Sequence, residues 1–258
     1  VYYLSIDQKV NIIFKTIQQK LNAFNHLKIR NANMKNISFF IFKTNRVWIR
    51  DYGPIFVKDK QGKKVIINWK FNAWSKYRDF KSDNKINYLI AKKTKKIIVI
   101  PKHNKKTVVL EGGAIDVNGE GILITTKECL LSKVQQRNPG FTISDYEKIF
   151  AKYLGVKKVI WLEKGIKGDD THGHIDDVAK FVSKNKIFIN DTKNKKDVNY
   201  KNIKKNLKIL QKEKNLDNKK FEIIKIPLPN PKFFRGTRVP ASYMNFYITN
   251  KKSFSSYF

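Results

Sequence analysis

The sequence predicts an α/β fold of repeated strand-strand-helix-strand units set about an axis, and three observations predict it. Short apolar runs of strand length alternate with longer amphipathic stretches along the whole chain. The strands that close successive units end near residues 42, 100, 162 and 226, a spacing of about 60. Polar motifs centred on Asp51, Glu111 and His174 stand beside strands at corresponding points, so they could meet near the axis. A single unit cannot bury its own apolar face, so repetition favours stacking or closure. With 258 residues, 41% of them apolar and 13% aromatic, the chain can fill one good core.

Taken in order, Tyr2–Ile6 reads as a strand. Asp7 then caps a helix with Val10, Ile13, Phe14, Ile17 and Leu21 on one face. Ile37–Phe42 is an apolar run of buried-strand length. A polar and aromatic turn, Trp48–Pro54, leads into a strand over Ile55–Val57, followed by another over Val65–Trp69. Ile86, Leu89 and Ile90 carry a helix near Asp83–Thr94, and Ile97–Ile100 closes the unit before Pro101. The order recurs with strands in Val108–Val117, broken at Gly112-Gly113, and Ile122–Thr125. A helix near Ser144–Leu154 has a capping box Ser144-x-x-Glu147 and a stop at Gly155, and Val159–Leu162 closes the unit. The third pass is Val178–Ser183, Ile187–Asn190, a helix through Tyr200, Ile203, Leu207 and Leu210, then Phe221–Ile226. Prolines 227, 229 and 231 interrupt the chain before a last strand, Tyr243–Thr249. That gives three full units, preceded by a helix-strand remnant and followed by an unfinished one.

The net charge of +33 raises nucleic-acid binding. Only seven of the 54 basic residues are Arg, however, and the Lys are spread over the whole chain rather than gathered on a motif. With Asn and Ile also abundant, this points to compositional bias and away from a nucleic-acid partner. No run approaches the roughly 18–20 apolar residues that span a bilayer. The one cysteine, Cys129, excludes an intrachain disulfide, suits a reducing compartment, and has the apolar neighbours of a buried small hydrophobe.

Three motifs carry the candidate chemistry. In Gly168–Asp177 four carboxylates and two of the chain's four histidines precede a strand. Acids beside imidazoles on a loop held by a strand suggest catalysis or a metal, although Asp, Thr and Gly also make plain turns. On an extended segment His174 and Asp176 would face one side together. In Trp48-x-Arg50-Asp51-x-Gly53-Pro54, Asp51 could hold a flat cation beneath the Trp48 indole, or pair structurally with Arg50. In Leu110-Glu111-Gly112-Gly113, Glu111 could orient an imidazole, or the glycines could form a simple bulge. Zinc or manganese on His172, His174 and nearby Asp is the rival reading. It lacks a second histidine cluster, since His26 and His103 lie in polar Lys/Asn-rich segments.

Together, Trp48-x-Arg50-Asp51-Tyr52-Gly53-Pro54, Asn68-Trp69-Lys70-Phe71-Asn72-x-Trp74, Glu111-Gly112-Gly113, Gln136-Arg137-Asn138-Pro139, Gly168–Asp177 and Pro240-Ala241-Ser242-Tyr243-x-Asn245-Phe246-Tyr247 resemble the agmatine deiminases, of the family shared with the Porphyromonas-type peptidylarginine deiminases. The match runs over roughly residues 46–250, in order. The resemblance implies the pentein fold, a five-bladed α/β propeller around a central site, here one incomplete catalytic domain over residues 1–258. By motif it assigns Asp51 and Asp176 to the substrate guanidinium, His174 to general acid/base work, and Glu111 to supporting His174. Trp48 and Asp170 would line the pocket for the rest of agmatine, with Asp170 toward its far amine.

In the family a cysteine thiolate attacks the guanidinium carbon, ammonia departs, and water then releases the product, without metal or organic cofactor. That cysteine lies in a C-terminal Gly-Gly-x-x-His-Cys segment that this sequence does not contain, and Cys129 is not at its position. The expectation is a cytoplasmic agmatine deiminase-type hydrolase of putrescine synthesis, acting on a small molecule, with homo-oligomers admitted. This polypeptide alone is expected not to turn agmatine over. Peptidylarginine as substrate, and a non-catalytic guanidine- or polyamine-binding role, are the alternatives.

Overall fold

A computed structural model describes residues 1–249 and the backbone of Ser253–Phe254. The chain starts with helix α1 (Tyr2–Asp7), strand β1 (Val10–Phe14), helix α2 (Ile17–Ile29) and strand β2 (Ile37–Ile41), β1 and β2 pairing in parallel. Two expectations fail here. Tyr2–Ile6 is helical, and the apolar run from Val10 is a strand. Its β-branched residues pair with β2, and the helix begins only where Thr16 accepts from the Gln19 amide.

Helix α3 (Ile49–Tyr52), a single helical turn, lies within the expected polar and aromatic turn and precedes the first complete unit. Strands β3 (Ile55–Lys58) and β4 (Lys64–Ile67) form an antiparallel hairpin, helix α4 (Ile86–Thr94) crosses over, and β5 (Ile97–Val99) pairs with β4 in parallel. A two-residue hairpin, β6 (Lys102–His103) with β7 (Lys106–Thr107), leads into the next unit. There Val108–Leu110 is not a regular strand: it makes a single bridge to Lys70, and only β8 (Asp116–Val117) pairs with β9 (Ile122–Thr126). Short helix α5 (Lys127–Leu131) and helix α6 (Ile143–Leu154) return the chain to β10 (Lys158–Leu162), parallel to β9. The cap of α6 is Thr142, boxed with Asp145, not Ser144 with Glu147; Gly155, at φ 69°, ends the helix as expected.

The third unit is β11 (Ala179–Ser183), β12 (Lys186–Asp191), helix α7 (Tyr200–Lys212) and β13 (Glu222–Pro227). Beyond it a hairpin of β14 (Lys232–Phe234) and β15 (Thr237–Val239) follows the prolines. Strand β16 (Tyr247–Ile248), paired with β17 (Ser253–Phe254), covers only part of the expected Tyr243–Thr249 strand. The segment before β16 is instead held by side chains: Ser242 Oγ donates to the Asp177 carbonyl, and Met244 N donates to Ser242 Oγ.

Three strand-strand-helix-strand units thus stand in succession, an α/β propeller arrangement of the pentein class whose sheets do not close into a ring among the described residues. Strand β9 shows how neighbouring units join. Leu123 belongs to the core that holds Val65, Tyr146 and Phe150, while Ile122 and Ile124 belong to the one that holds Phe181, Ile187 and Leu210. Alternation sends successive side chains to opposite faces, both covered, so all five β9 residues are buried. Each such Ile or Leu contributes about 1.5–3 kcal/mol by leaving water. Among the described residues no helix is long and apolar enough to cross a membrane.

Candidate active site

Three short turns, one beside each of three sheets, converge: helix α3, the 3₁₀ turn Gly112–Ala114 and the 3₁₀ turn Ile175–Asp177. They touch at backbone distance. A Cβ on Gly112 would stand 2.1 Å from the Arg50 carbonyl. A Cβ on Gly113 would stand 2.6 Å from Asp51 Oδ1, 2.6 Å from His174 Nδ1 and 2.7 Å from Asp176 Oδ2. The paired glycines are therefore a close-approach device, and three polar atoms face the point above Gly113.

The four residues assigned to the guanidinium and its proton chemistry are brought together, all buried. His174 Nδ1 lies 3.7 Å from Asp51 Oδ1 and 3.8 Å from Asp176 Oδ1. On the other side of the ring, Nε2 lies 3.6 Å from Glu111 Oε2 and makes no hydrogen bond, since that separation is beyond normal reach. Contrary to the expectation from sequence, the segment is not extended: His174 caps a 3₁₀ turn, and the turn itself brings Asp176 back toward the ring. Asp169 fixes that geometry by accepting from the amides of Thr171, Gly173 and His174.

Charge dominates the site. Burial alone would strip the His174 proton, but the Asp51, Glu111 and Asp176 carboxylates outweigh it and push its pKa up to about 10. The ring is therefore an imidazolium at neutral pH. Burial, with Asp51 and Asp169 nearby, pushes the Asp176 carboxyl up to about 6 against the pull of His174. Asp51 is likewise raised, by burial first and by Glu111, while His174 and bonds from Trp74 and Gly113 oppose the shift. Burial also raises Glu111, yet Arg137 and His174 hold it below its ordinary value. Two carboxyls raised by burial, Asp51 and Asp176, thus face one imidazolium, and a third carboxylate, Glu111, stays ionised.

Two donor sets could hold a metal: Asp51, His174 and Asp176, or Glu111, Cys129 and His174, with donor atoms within 4.8 Å of one another. Both need the lone pair of a ring that holds its proton up to about pH 10, and the second would also set a metal against the Arg137 guanidinium on Glu111. The pair His172 and His174 does not form a set, because His172 Nε2 bonds Ser132 Oγ at 3.0 Å. Cys129 is 1% exposed, and burial pushes its thiol well above the ordinary value. It is the buried residue the sequence suggested, with the added feature that it lies against the acid/base pair.

Trp48, expected to line the pocket, is 58% exposed at the start of α3, and among the described residues no ring contact or side-chain hydrogen bond joins it to the cluster. The indole on Asp51 belongs to Trp74, whose Nε1 donates to Asp51 Oδ2 at 3.1 Å. Asp170 is half exposed and is bound by Lys76 and by the Tyr77 hydroxyl at 2.7 Å. Sequence reasoning gave no role to Trp74, Lys76, Tyr77 or Arg137, although two resemblance motifs contained Trp74 and Arg137. The missed signal was the pairing of a buried acid, Glu111, with one of only seven arginines. Asn245, from the last motif, donates to Asp176 Oδ2 at 3.4 Å.

A provisionally named agmatine deiminase of Legionella pneumophila (strain Paris) is 35% identical over 217 residues, 84% of this chain and 61% of the relative. The agmatine deiminase of Medicago truncatula is 35% identical over 249 residues, 86% of this chain and 66% of the relative. The chain therefore spans less than two thirds of the length of these curated relatives. Among solved structures, the C. jejuni agmatine deiminase with substrate bound is 32% identical and superposes with a TM-score of 0.84, covering 99% of this chain and 71% of that one. The Porphyromonas-type peptidyl-arginine deiminase model matches residues 2–258. With its site assembled from the same motifs that matched in sequence, the chain belongs to the Porphyromonas-type peptidyl-arginine deiminase family.

Proposed function

We propose that this chain supplies the guanidinium grip and the acid/base machinery of an agmatine deiminase-type hydrolase. The observation that carries the proposal is the convergence of Asp51 Oδ1, His174 Nδ1 and Asp176 Oδ2 over Gly113. A flat cation there pairs with two carboxylates, which orients its central carbon and stabilises its charge. The incoming positive charge also weakens the hold of those carboxylates on the His174 proton, so the ring becomes able to give it up. His174 then protonates the nitrogen that leaves as ammonia and, as neutral imidazole, takes a proton from the water that releases the ureido product. Glu111, kept ionised by Arg137, supports the imidazolium form in each cycle. For agmatine that product is N-carbamoylputrescine, and the relatives named agmatine deiminase support this substrate.

The bond-breaking step needs a thiolate on the guanidinium carbon, and Cys129 is held neutral and enclosed. The same proposal therefore makes this polypeptide a binder of agmatine that does not turn it over. Calorimetry tests the first part: agmatine should bind, and Asp51→Asn or Asp176→Asn should weaken it by ten-fold or more. Wild-type chain with no measurable affinity for agmatine would overturn the proposal. A colorimetric assay for ureido product tests the second part, and product from the wild-type chain alone would overturn that part.

A further inference from the structure

One turn reaches both Asp51 and Asp170. Ala73, Trp74 and Ser75 are three successive non-glycine residues in the left-handed region, at φ 52°, 58° and 53°. Such a run is disfavoured for L-residues and persists only where its surroundings hold it. Asn72 Oδ1 accepts from Ser75 N at 2.9 Å, Ser75 Oγ donates to the Gln136 carbonyl at 2.8 Å, and Gln135 Nε2 donates to both the Trp74 and Asp170 carbonyls at 3.1 Å. From this anchored turn Trp74 reaches Asp51 at the guanidinium end. Lys76 and Tyr77, just after it, close on the two carboxylate oxygens of Asp170: the ammonium on Oδ1 and the hydroxyl on Oδ2.

We propose that Lys76 is a built-in counter-cation of the tail site: its ammonium occupies Asp170 in the empty pocket, and a guanidine with an amine at its far end displaces it. The inference rests on the reading of this site as a guanidine pocket with Asp170 at the tail. The lysine side chain is chemically an alkylammonium, the same group that ends an amine-tailed guanidine, so the two compete for one oxygen. The Lys76 and Asp170 side chains are 40% and 50% exposed, so the pair is a weak, solvent-screened one that a ligand can open. Tyr77 stays on Oδ2 and keeps the carboxylate oriented during the exchange. Lys76 thus sets selectivity, lowering the advantage of an amine tail over a neutral one without touching the guanidinium end.

The test is calorimetric binding of agmatine and of butylguanidine, which lacks the amine, to the whole chain. Lys76→Met should tighten agmatine about two- to five-fold, the factor set by a surface ion pair, and leave butylguanidine unchanged. Lys76→Arg should stay near wild type because the competing cation is kept. In an Asp170→Asn background the effect of Lys76→Met should vanish. Unchanged butylguanidine binding also shows that each variant is folded. Weaker agmatine binding in Lys76→Met would mean that Lys76 merely orients Asp170, and equal shifts for both ligands would mean a general effect; either overturns the proposal. If wild-type chain binds neither ligand, the guanidine reading itself fails and this inference falls with it.

Discussion

Arg137 Nε donates to both carboxylate oxygens of Glu111, at 3.1 and 3.3 Å, and neither side chain is exposed to solvent. The same guanidinium reaches the carbonyls of Gln135 and Thr171, so it ties the loop that carries His174 to the residue behind the imidazole. Without Arg137, the buried Glu111 charge keeps only the His174 ring, 3.6 Å away and beyond hydrogen-bond reach, to offset it. Arg137→Met should therefore lower stability by about 3–5 kcal/mol in urea unfolding. Adding Glu111→Gln should recover part of that loss, because the stranded charge is gone. A single-variant loss under about 1 kcal/mol would show that Glu111 does not depend on Arg137.

Guanidine binding should depend on pH with a defined sign. Asp176 titrates near 6 in the folded chain, above its ordinary 3.8, so it is neutral below about pH 6 and cannot pair with a cation. Affinity for agmatine should rise about ten-fold from pH 5 to pH 7. Stability moves the opposite way: a carboxyl raised by folding contributes fully below 3.8 and loses that contribution as pH rises through about 6. His174, raised from 6.5 to about 10, contributes fully below 6.5 and loses its contribution as pH rises through 10. A flat affinity profile between pH 5 and 7 would remove Asp176 from the grip.

Gly113→Ala tests the convergence directly. The added methyl would stand within 2.7 Å of Asp51, His174 and Asp176, none of which is the free end of a flexible chain. We expect a loss of about 1–3 kcal/mol in stability from overpacking, and no measurable agmatine binding in a chain that still folds. Binding within a few-fold of wild type would show that the ligand sits elsewhere.

Much of this was legible in the sequence because local pattern and tertiary demand agreed. The unit ends, near 42, 100, 162 and 226, fall within a residue of the strand ends at Ile41, Val99, Leu162 and Pro227. Asp51, Glu111, His174 and Asp176 meet as their motifs suggested. What failed was decided at longer range. Val10–Phe14 has apolar residues that also suit a helix face, and only pairing with Ile37–Ile41 makes it a strand. Trp48 and Trp74 are both plausible lids for a cation, and nothing local says that a left-handed turn 23 residues beyond Asp51 delivers the indole. Lys76 was hidden among 47 lysines, where no single one stands out by type.

Cys129 gives the last prediction. Its amide donates to Thr126 Oγ1 at the start of α5, and its side chain belongs to the apolar core that holds Leu123, Leu130 and Ile149 while lying against Glu111 and His174. Burial pushes the thiol up, the Glu111, Asp169 and Asp51 carboxylates add to it, and Arg137 opposes without prevailing. Since the thiolate is the reactive form, iodoacetamide at pH 8 should leave the native chain unmodified under conditions that alkylate the urea-unfolded chain. Cys129→Ala should cost about 1 kcal/mol through the small cavity it leaves, and agmatine affinity should stay within a few-fold, because the guanidinium is held from the Asp51 and Asp176 side of the ring. Native alkylation at the unfolded rate would contradict the enclosed, neutral thiol. Ureido product formed by the wild type and abolished in Cys129→Ala would go further and make this thiol the nucleophile that its surroundings argue against.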